Sequence, residues 1–470
     1  MSNPELLNFD VTTVSEKLRS KQISPVELTE AYLNRIRETE DRIKAYITIT
    51  EEHAKTAAKA AEREILAGRW RGPFHGIPVA LKDLCYTQGI RTTGGSKIFA
   101  DLIPDFDSTV WAKLANAGAV LVGKLNLHEL AAGATNANPH YGFCRNPYNL
   151  ARIPGGSSGG SAAAIVARSA AATIGTDTGG SIRIPAAFCG CVGLKQTWSR
   201  VSRYGVIPLA DSLDHVGPIT RTVRDCALML QVIAGHDPND PTSSREPVPN
   251  FSSAIGRGLK GARIGLIKEL VNNIRGEASS AFYAASAKLV ELGASVEEVS
   301  IPSIEQAAAL TTTIMVAEAA EFHEKWLRTR QHDYSDDVRP TLEAGFLTPA
   351  MYYVRAQKAR ALVLADSLTA LEGRIALIAP TSAIAAPAID ARGRPVTSSG
   401  ETVNLATEVL RFTAPFNITG QPALALPTGL SSEGLPFSLQ IVGRPFDEVS
   451  VLRVAAAYEE ARGPLPQPRL

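Results

Sequence analysis

The chain has 470 residues, 45% of them hydrophobic and 20% charged, with 48 basic against 47 acidic side chains. That length buries a large core, and the balanced charge predicts no nucleic-acid partner and no anionic membrane surface. No run approaches 18 uninterrupted apolar residues, and the opening MSNPELLNFD lacks a signal pattern, so a cytoplasmic protein away from the membrane is expected.

From Val11 to about Glu64 the pattern is helical. Ser24 is placed as an N-cap with Pro25 at the first helical position, and Val26, Leu28, Tyr32 and Ile36 follow at helical spacing. GIPVALKDL reads as a short buried strand ending at Lys82. FDSTVWAKLANAG reads as a helix stopped by Gly118, and AVLVGK as the strand after it. Ser161 to Ala172 is alanine-rich and predicts a packed helix. ARIGLIKEL, RIALIAP, PALALPTG and FSLQIVG are further strands, interleaved with helices near 277–292, 350–373 and 448–462. Strands alternating with helices predict an α/β layered domain. The chain divides into N-terminal helices (1–70), a core (about 71–235), a Pro-, Asp- and Ser-rich surface connection (236–260) and the remainder of the same single domain (261–470). The five cysteines (Cys85, Cys144, Cys189, Cys191, Cys226) lack C-x-x-C spacing, so reduced thiols are expected rather than disulfides or a zinc site.

The stretch PGGSSGGSAAA, Pro154 to Ala164, invites three readings. A phosphate loop would need a lysine directly after the glycines, and none occurs before Lys195. A flexible linker fits poorly, because an apolar helix follows without a gap. Gly155–Gly156–Ser157–Ser158–Gly159 matches G-x-S-x-G, the nucleophile elbow, with His215, His236, His323 and His332 available downstream as bases. Against the elbow, NPYNLARIP before it is not an apolar strand.

A second cluster, GTDTGGSIRIPA from Gly175 to Ala186, sets two glycines before Ser181. Glycines there let backbone N–H groups converge on one point, as an oxyanion hole requires. A serine hydroxyl attacks only once a base takes its proton. Lys82, ending an apolar strand, is a candidate base, because burial of an ammonium favours its neutral form. Pairing with Asp83 or snorkelling to the surface would explain the same lysine.

Lys82 in GIPVALKDL, Ser157 in GGSSGGSAAA and Ser181 in GTDTGGSIRIPA together resemble the amidase signature family, including the 24-residue interval between the serines. The resemblance continues through GKLNLHELA, VGLKQTWSRVSRYGVIPLADSLDHVGPITRTVRD, FTAPFNITGQPALALPTG and LPFSLQIVGRPFDE, so it covers most of the chain. It implies a large mixed, mostly parallel twisted sheet sandwiched between helices. It also implies a catalytic Lys82–Ser157–Ser181 triad, with Ser157 in a cis peptide relaying protons between Lys82 and an attacking Ser181. By the same resemblance the N–H groups of Thr178, Gly179, Gly180 and Ser181 form the oxyanion hole. Ser158, Asp177 and Arg183 support the site, and Ser161 bonds backbone around it. Asn126 and Glu129 organise the site, and Ala132, Gly133 and Ala134 line the substrate. No cofactor and no metal are implied. His128 and His215 are read as ordinary packed or surface histidines. Phe143, Trp198, Tyr204 and Phe412 are aromatic candidates for pocket walls or core.

One branch of the family supplies the amidase component of tRNA-dependent glutamine amidotransferases. It holds glutamine with an Arg in an RRIMLG-like segment and an Asp just before an FT pair. The matching segment here is VRPTLEAG, with Pro340 and Thr341 near the Arg position, and Leu410–Arg411 precede Phe412–Thr413. Leaving both charges of glutamine unpaired is unfavourable. The expectation is therefore a stand-alone bacterial-type amidase, a serine hydrolase of small-molecule amides, carbamates or ureides, with a homodimer as the default assembly. The alternatives are the glutaminase component of a tRNA-dependent amidotransferase and a carbamate or ureide hydrolase.

Overall fold

The computed structural model describes residues 4–272, 274–397 and 399–470. Eleven strands form one sheet: β1 Tyr46–Ile49, β2 Pro78–Lys82, β3 Val120–Leu125, β4 Ala172–Asp177, β5 Val192–Lys195, β6 His215–Thr220, β7 Arg263–Ile267, β8 Ser295–Val299, β9 Ala376–Pro380, β10 Ala423–Leu430 and β11 Pro436–Val442. Their order across the sheet is β1-β3-β2-β4-β6-β5-β10-β11-β9-β7-β8. This is the α/β layered domain that the strand–helix rhythm predicts and the mixed sheet between helices that the resemblance implies, corrected in one respect: it is not mostly parallel. Only β3–β2, β2–β4, β9–β7 and β7–β8 pair in parallel, while the other neighbours are antiparallel. The β10–β11 hairpin and the returns of β5 and β6 make the centre antiparallel. Short connections join antiparallel strands, whereas a parallel pair needs a crossover of a dozen or more residues.

Strand alternation divides the core. Val79 and Leu81 of β2, Leu121 of β3 and Ile174 of β4 face one side, with Tyr32, Trp111 and Leu230. Ala80, Val120 and Val122 face the other, with Ala58, Ala163 and Ala164. Small alanines on that second side let a helix lie close to the strands.

The N-terminal part contains α1 (Val11–Arg19), α2 (Pro25–Ile43) and α3 (Glu51–Leu66). Ser24 Oγ accepts the N–H groups of Val26 and Glu27 with Pro25 at the first position, so α2 starts where the capping signal sets it. The continuous helical reading of Val11 to Glu64 is interrupted by β1, whose β-branched YITI pairs with β3. The next helix, α4 (Thr109–Asn116), gives way at Gly118, whose φ of +85° is left-handed.

Helix α5 covers Gly159–Val166, not Ser161–Ala172. Arg168 turns the chain at φ 61°, and Ala172 opens β4. Helix α6 is Arg183–Cys189 and α7 is Val223–Ile233. Residues 236–260 carry no helix or strand. The longer of the later helices are α8 (Gly276–Glu291), α9 (Ala307–Thr329), α10 (Ala350–Ala370) and α11 (Glu448–Arg462). All five cysteines are free and buried. Among the described residues, no helix is long and apolar enough to cross a membrane.

Candidate active site

The carboxyl ends of the parallel strands β2 and β4 meet two loops, the Gly-Ser stretch before α5 and the turn between β4 and α6. Open α/β sheets place ligands at such ends. Lys82 ends β2 and is fully buried. Its Nζ donates to Ser157 Oγ at 2.7 Å, Ser158 Oγ at 3.0 Å and Thr176 Oγ1 at 2.7 Å. Burial lowers its pKa from the ordinary lysine value to about 7, opposed chiefly by the negative charge of Asp214 and, more weakly, of Asp177. The surface and Asp83 explanations fail. Asp83 pairs instead with Lys124 at 3.3 Å and with Thr93.

The Gly156–Ser157 peptide is cis. The glycines around it are required by close backbone approaches. A Cβ on Gly156 would lie 2.9 Å from Thr135 N, and one on Gly160 only 2.4 Å from Asn126 O. Ser158 Oγ donates to the Thr176 carbonyl at 3.0 Å and accepts the Thr176 N–H at 3.2 Å. Ser158 N–H donates to the Ser181 carbonyl at 3.2 Å, tying the two loops together. Ser181 is 8% exposed, whereas Ser157 and Ser158 are at 0%, so of the three serines only Ser181 reaches the surface of the site. No histidine ring among the described residues hydrogen-bonds any of the three. His215, the first base an elbow could use, gives Nδ1–H to Leu213 O at 2.7 Å and meets Lys195 Nζ at 3.2 Å.

The turn after β4 is organised by Asp177. Its Oδ1 accepts Gly180 N–H at 2.8 Å, and its Oδ2 accepts Ile182 N–H at 3.1 Å. Arg183 donates Nε and Nη2 to the same carboxylate at 3.0 Å and reaches Thr413 O, Gln440 Oε1 and Asn417 Oδ1. Burial disfavours the Asp177 charge, but Arg183, Lys195 and Asn417 outweigh it and hold the carboxyl well below the usual range. Because Gly180 N–H is committed to Asp177, Gly180 is corrected from oxyanion donor to anchor. Thr178, Gly179 and Ser181 remain as candidate donors. Thr413 Oγ1 donates to Gly179 O at 2.6 Å, which pins that carbonyl.

The other candidates take structural positions. Asn126 Nδ2 donates to Lys44 O and Gly142 O, and its Oδ1 accepts from Asn136. Buried Glu129 accepts from Ser96 Oγ and Ser335 N–H and meets His140 at 3.0 Å. His128 is packed between Thr135 Oγ1 and Asp337 Oδ2. Ser161 Oγ donates to Ile174 O. Ala132, Gly133 and Ala134 are half-buried in a loop that runs against Gly156. In that loop Leu130, Ala131 and Asn136 all have left-handed φ (52°, 61° and 59°), the local strain that gathers at functional sites. Phe412 is core, whereas Tyr204 is 38% exposed.

Three further residues that bond the candidate site lie inside the quoted motifs without being singled out there: Thr176, Asp214 and Asn417. Asn417 sits inside FTAPFNITG, where its place between Pro415 and Gly420 is the available signal. Leu410, one of the two residues before the Phe412–Thr413 pair, is half-buried and would lie 3.9 Å from a Cβ on Gly179. The Arg411 guanidinium stacks on Phe412 at 4.2 Å. A larger cavity of about 580 Å³ between Arg168, Arg221 and the C-terminal residues includes none of the triad candidates. Among the described residues no group of His, Cys, Asp and Glu is arranged to hold a metal.

The amidase family model matches residues 27–452. The chain is 43% identical to a glutamyl-tRNA(Gln) amidotransferase subunit of Geobacter metallireducens, over 97% of this chain and 98% of that one. Among solved structures it resembles a protein complex described as a vestige revealing the origins of an s-triazine catabolic enzyme (TM-score 0.91, 33% identity, 96% and 98% covered). It also resembles the corresponding glutamyl-tRNA(Gln) amidotransferase subunit of Thermotoga maritima (TM-score 0.83, 35% identity, 100% and 99% covered). These relatives overturn the expectation of a stand-alone small-molecule amidase that uses no nucleic acid and defaults to a homodimer, because they are subunits of an enzyme named for a tRNA substrate. That expectation weighed two local positions and overall charge, while the likeness extends over the whole fold.

Proposed function

Since the chain belongs to the amidase family, we propose that it is the amide-cleaving subunit of an assembly of the glutamyl-tRNA(Gln) amidotransferase type, releasing ammonia from glutamine for a partner's use. The observation that carries the chemistry is the set of three hydroxyls around a buried, easily neutralised Lys82. A neutral amine has two N–H donors and one lone pair, so one of the three hydroxyls must donate to it. The Ser158 proton is committed to the Thr176 carbonyl. That leaves Ser157 and Thr176, and the family resemblance assigns the relay to Ser157 and the attack to Ser181, the more exposed of the serines.

In this mechanism Ser157 gives its proton to Lys82 Nζ and takes the proton of Ser181. Ser181 Oγ bonds to the amide carbon, and the N–H groups of Thr178, Gly179 and Ser181 hold the oxyanion. Lys82 returns its proton through Ser157 to the leaving nitrogen as the C–N bond breaks. Water then attacks the acyl-Ser181 ester along the same relay, regenerating Ser181 and releasing the acid. Asp177 and Arg183 keep the donor turn in shape, and Ala132, Gly133 and Ala134 border the acyl group. The single domain spans 1–470, with 71–235 carrying the relay. Free buried thiols support a cytoplasmic location.

A second reading rests on Leu410. An aliphatic side chain beside Gly179 offers nothing to an α-ammonium and suits an uncharged ureide or carbamate. Ammonia release from glutamine, measured with and without co-expressed amidotransferase partners, tests the main reading. Turnover that appears with the partners supports it. Ureide turnover with no glutaminase activity in either preparation would replace it with the second.

A further inference from the structure

The donor turn is held by two buried carboxylates, and only one of them lies in the motif. Asp177 takes its Gly180 and Ile182 ends. At the other end Thr178 Oγ1 donates to Asp214 Oδ1 at 2.5 Å. Asp214 Oδ2 accepts the N–H groups of Leu209 and Ala210 at 2.8 and 3.1 Å, so the carboxylate is fixed from behind by its own loop. Asp214 is 9% exposed and borders a small cavity of about 60 Å³ with Leu84, Ala131, Thr176, Thr178 and Arg203. That cavity touches the Thr176 that Lys82 bonds.

We propose that Asp214 is a positioning residue for the amide-cleaving reaction: its carboxylate clamps the Thr178 end of the donor turn and supplies the negative charge under which Lys82 works. This rests on the reading of Lys82 as the base. Burial opposes charge on both groups. It pushes the Asp214 carboxyl up to about 6, against the bonds from Thr178, Leu209 and Ala210 and the attraction of Arg203. The acidic groups acting on Lys82 are Asp214, Cys85 and Asp177, with Asp214 the strongest. Removing the Asp214 charge therefore favours neutral Lys82 at lower pH, while loosening Thr178 degrades the oxyanion site. The two effects act on different observables.

The test is the pH dependence of Ser181 phosphonylation by a fluorophosphonate, which needs no knowledge of the natural substrate. Wild type should label with an acid limb near the Lys82 value of about 7. Asp214→Asn should label about 10- to 100-fold more slowly at its plateau, with the acid limb moved to lower pH. Thr178→Val should be slowed with the limb in place, and Thr178→Ser should recover the wild-type rate. A lost rate with an unmoved limb in Asp214→Asn would overturn the electrostatic half. Wild-type labelling by Thr178→Val would overturn the clamp, and does so even if Asp214→Asn does not fold. Absence of label on wild-type Ser181 would overturn the serine–lysine reading and this inference with it, whereas a labelled wild type beside unaffected variants would overturn this inference alone.

Discussion

Lys82 Nζ stands 2.7 Å from Ser157 Oγ, and both side chains are fully buried. The ammonium form is disfavoured there by loss of water, and that is what makes lysine usable as a base near neutrality. Catalysis needs the neutral amine, so kcat/KM should rise with pH through about 7 and level off above it. Lys82→Met should remove that limb and lower kcat by about 1,000-fold or more. Stability carries the same signature with a defined sign. The folded pKa of about 7 lies below the unfolded value near 10.4, so between them the unfolded chain holds a proton that the folded chain lacks. Wild-type stability should therefore gain from rising pH in that window, by at most about 1.4 kcal/mol per pH unit from this group. Urea melts of wild type and Lys82→Met at pH 7 and 9 would show the gain in the first and its loss in the second.

Lys82, Ser157 and Ser181 can be picked out from sequence because each sits in a short run of unusual composition, a lysine closing an apolar strand or serines set among glycines, and Asp177 and Arg183 follow from the resemblance those runs carry. Asp214 cannot, and Thr176 stands inside GTDTGGSIRIPA with nothing in the run to mark it as a partner of Lys82. SLDHVGP reads as a turn entering a strand, and only the pairing of β4 with β6 brings Asp214 to the Thr178 end of the donor turn. Local pattern also fails at β1. YITI is made of strand-favouring residues and pairs with β3, but it is hidden when the stretch from Val11 to Glu64 is read as one helical pattern. The antiparallel centre of the sheet is hidden too, since strand direction is a property of pairs. Helix α9 is not legible because its polar threonines and glutamates blur an apolar face that packs against α10.

The buried Arg183–Asp177 pair makes a second prediction. Arg183→Met would leave the Asp177 carboxylate without its main partner and should cost about 3–5 kcal/mol. It should also abolish turnover, since Gly180 and Ile182 lose their fixed acceptor. The Asp177 pKa is depressed by folding, so its stabilising contribution is complete above the unfolded value near 3.9 and is lost as pH falls below it. Acid titrations followed by circular dichroism should show this destabilisation in wild type and a smaller pH dependence in Asp177→Asn. Retained activity in Arg183→Met would contradict the bracing role.

Gly180 has φ +137°, and a Cβ there would lie 2.3 Å from Thr413 Oγ1, the atom that pins the Gly179 carbonyl. Gly180→Ala should displace the donor turn and lower kcat by about 100-fold or more, with backbone strain adding to the loss of stability. Gly258→Ala, where a Cβ would meet nothing within 4 Å, serves as the control and should keep wild-type activity. Comparable rates in the two variants would show that the turn geometry is not critical.

Leu410 decides between the two readings of the substrate. It stands near Gly179, just before the Phe412–Thr413 pair where the resemblance puts an Asp in glutaminases, and it is half-buried. An aspartate introduced there would offer a charge-assisted acceptor to an α-ammonium and would repel or waste desolvation on a neutral ureide. Leu410→Asp should therefore raise kcat/KM for glutamine relative to a ureide by about 10-fold or more, at the level of one charged hydrogen bond. The ratio is read in the same preparation, partners included, so expression and assembly cancel. A ratio that rises from measurable wild-type glutaminase activity supports glutamine bound without this contact. Where wild type cleaves only the ureide and Leu410→Asp gains glutamine, the aliphatic side chain is itself the specificity determinant. An unchanged ratio would place the acyl group's charged end away from Leu410 and remove the ground for the second reading.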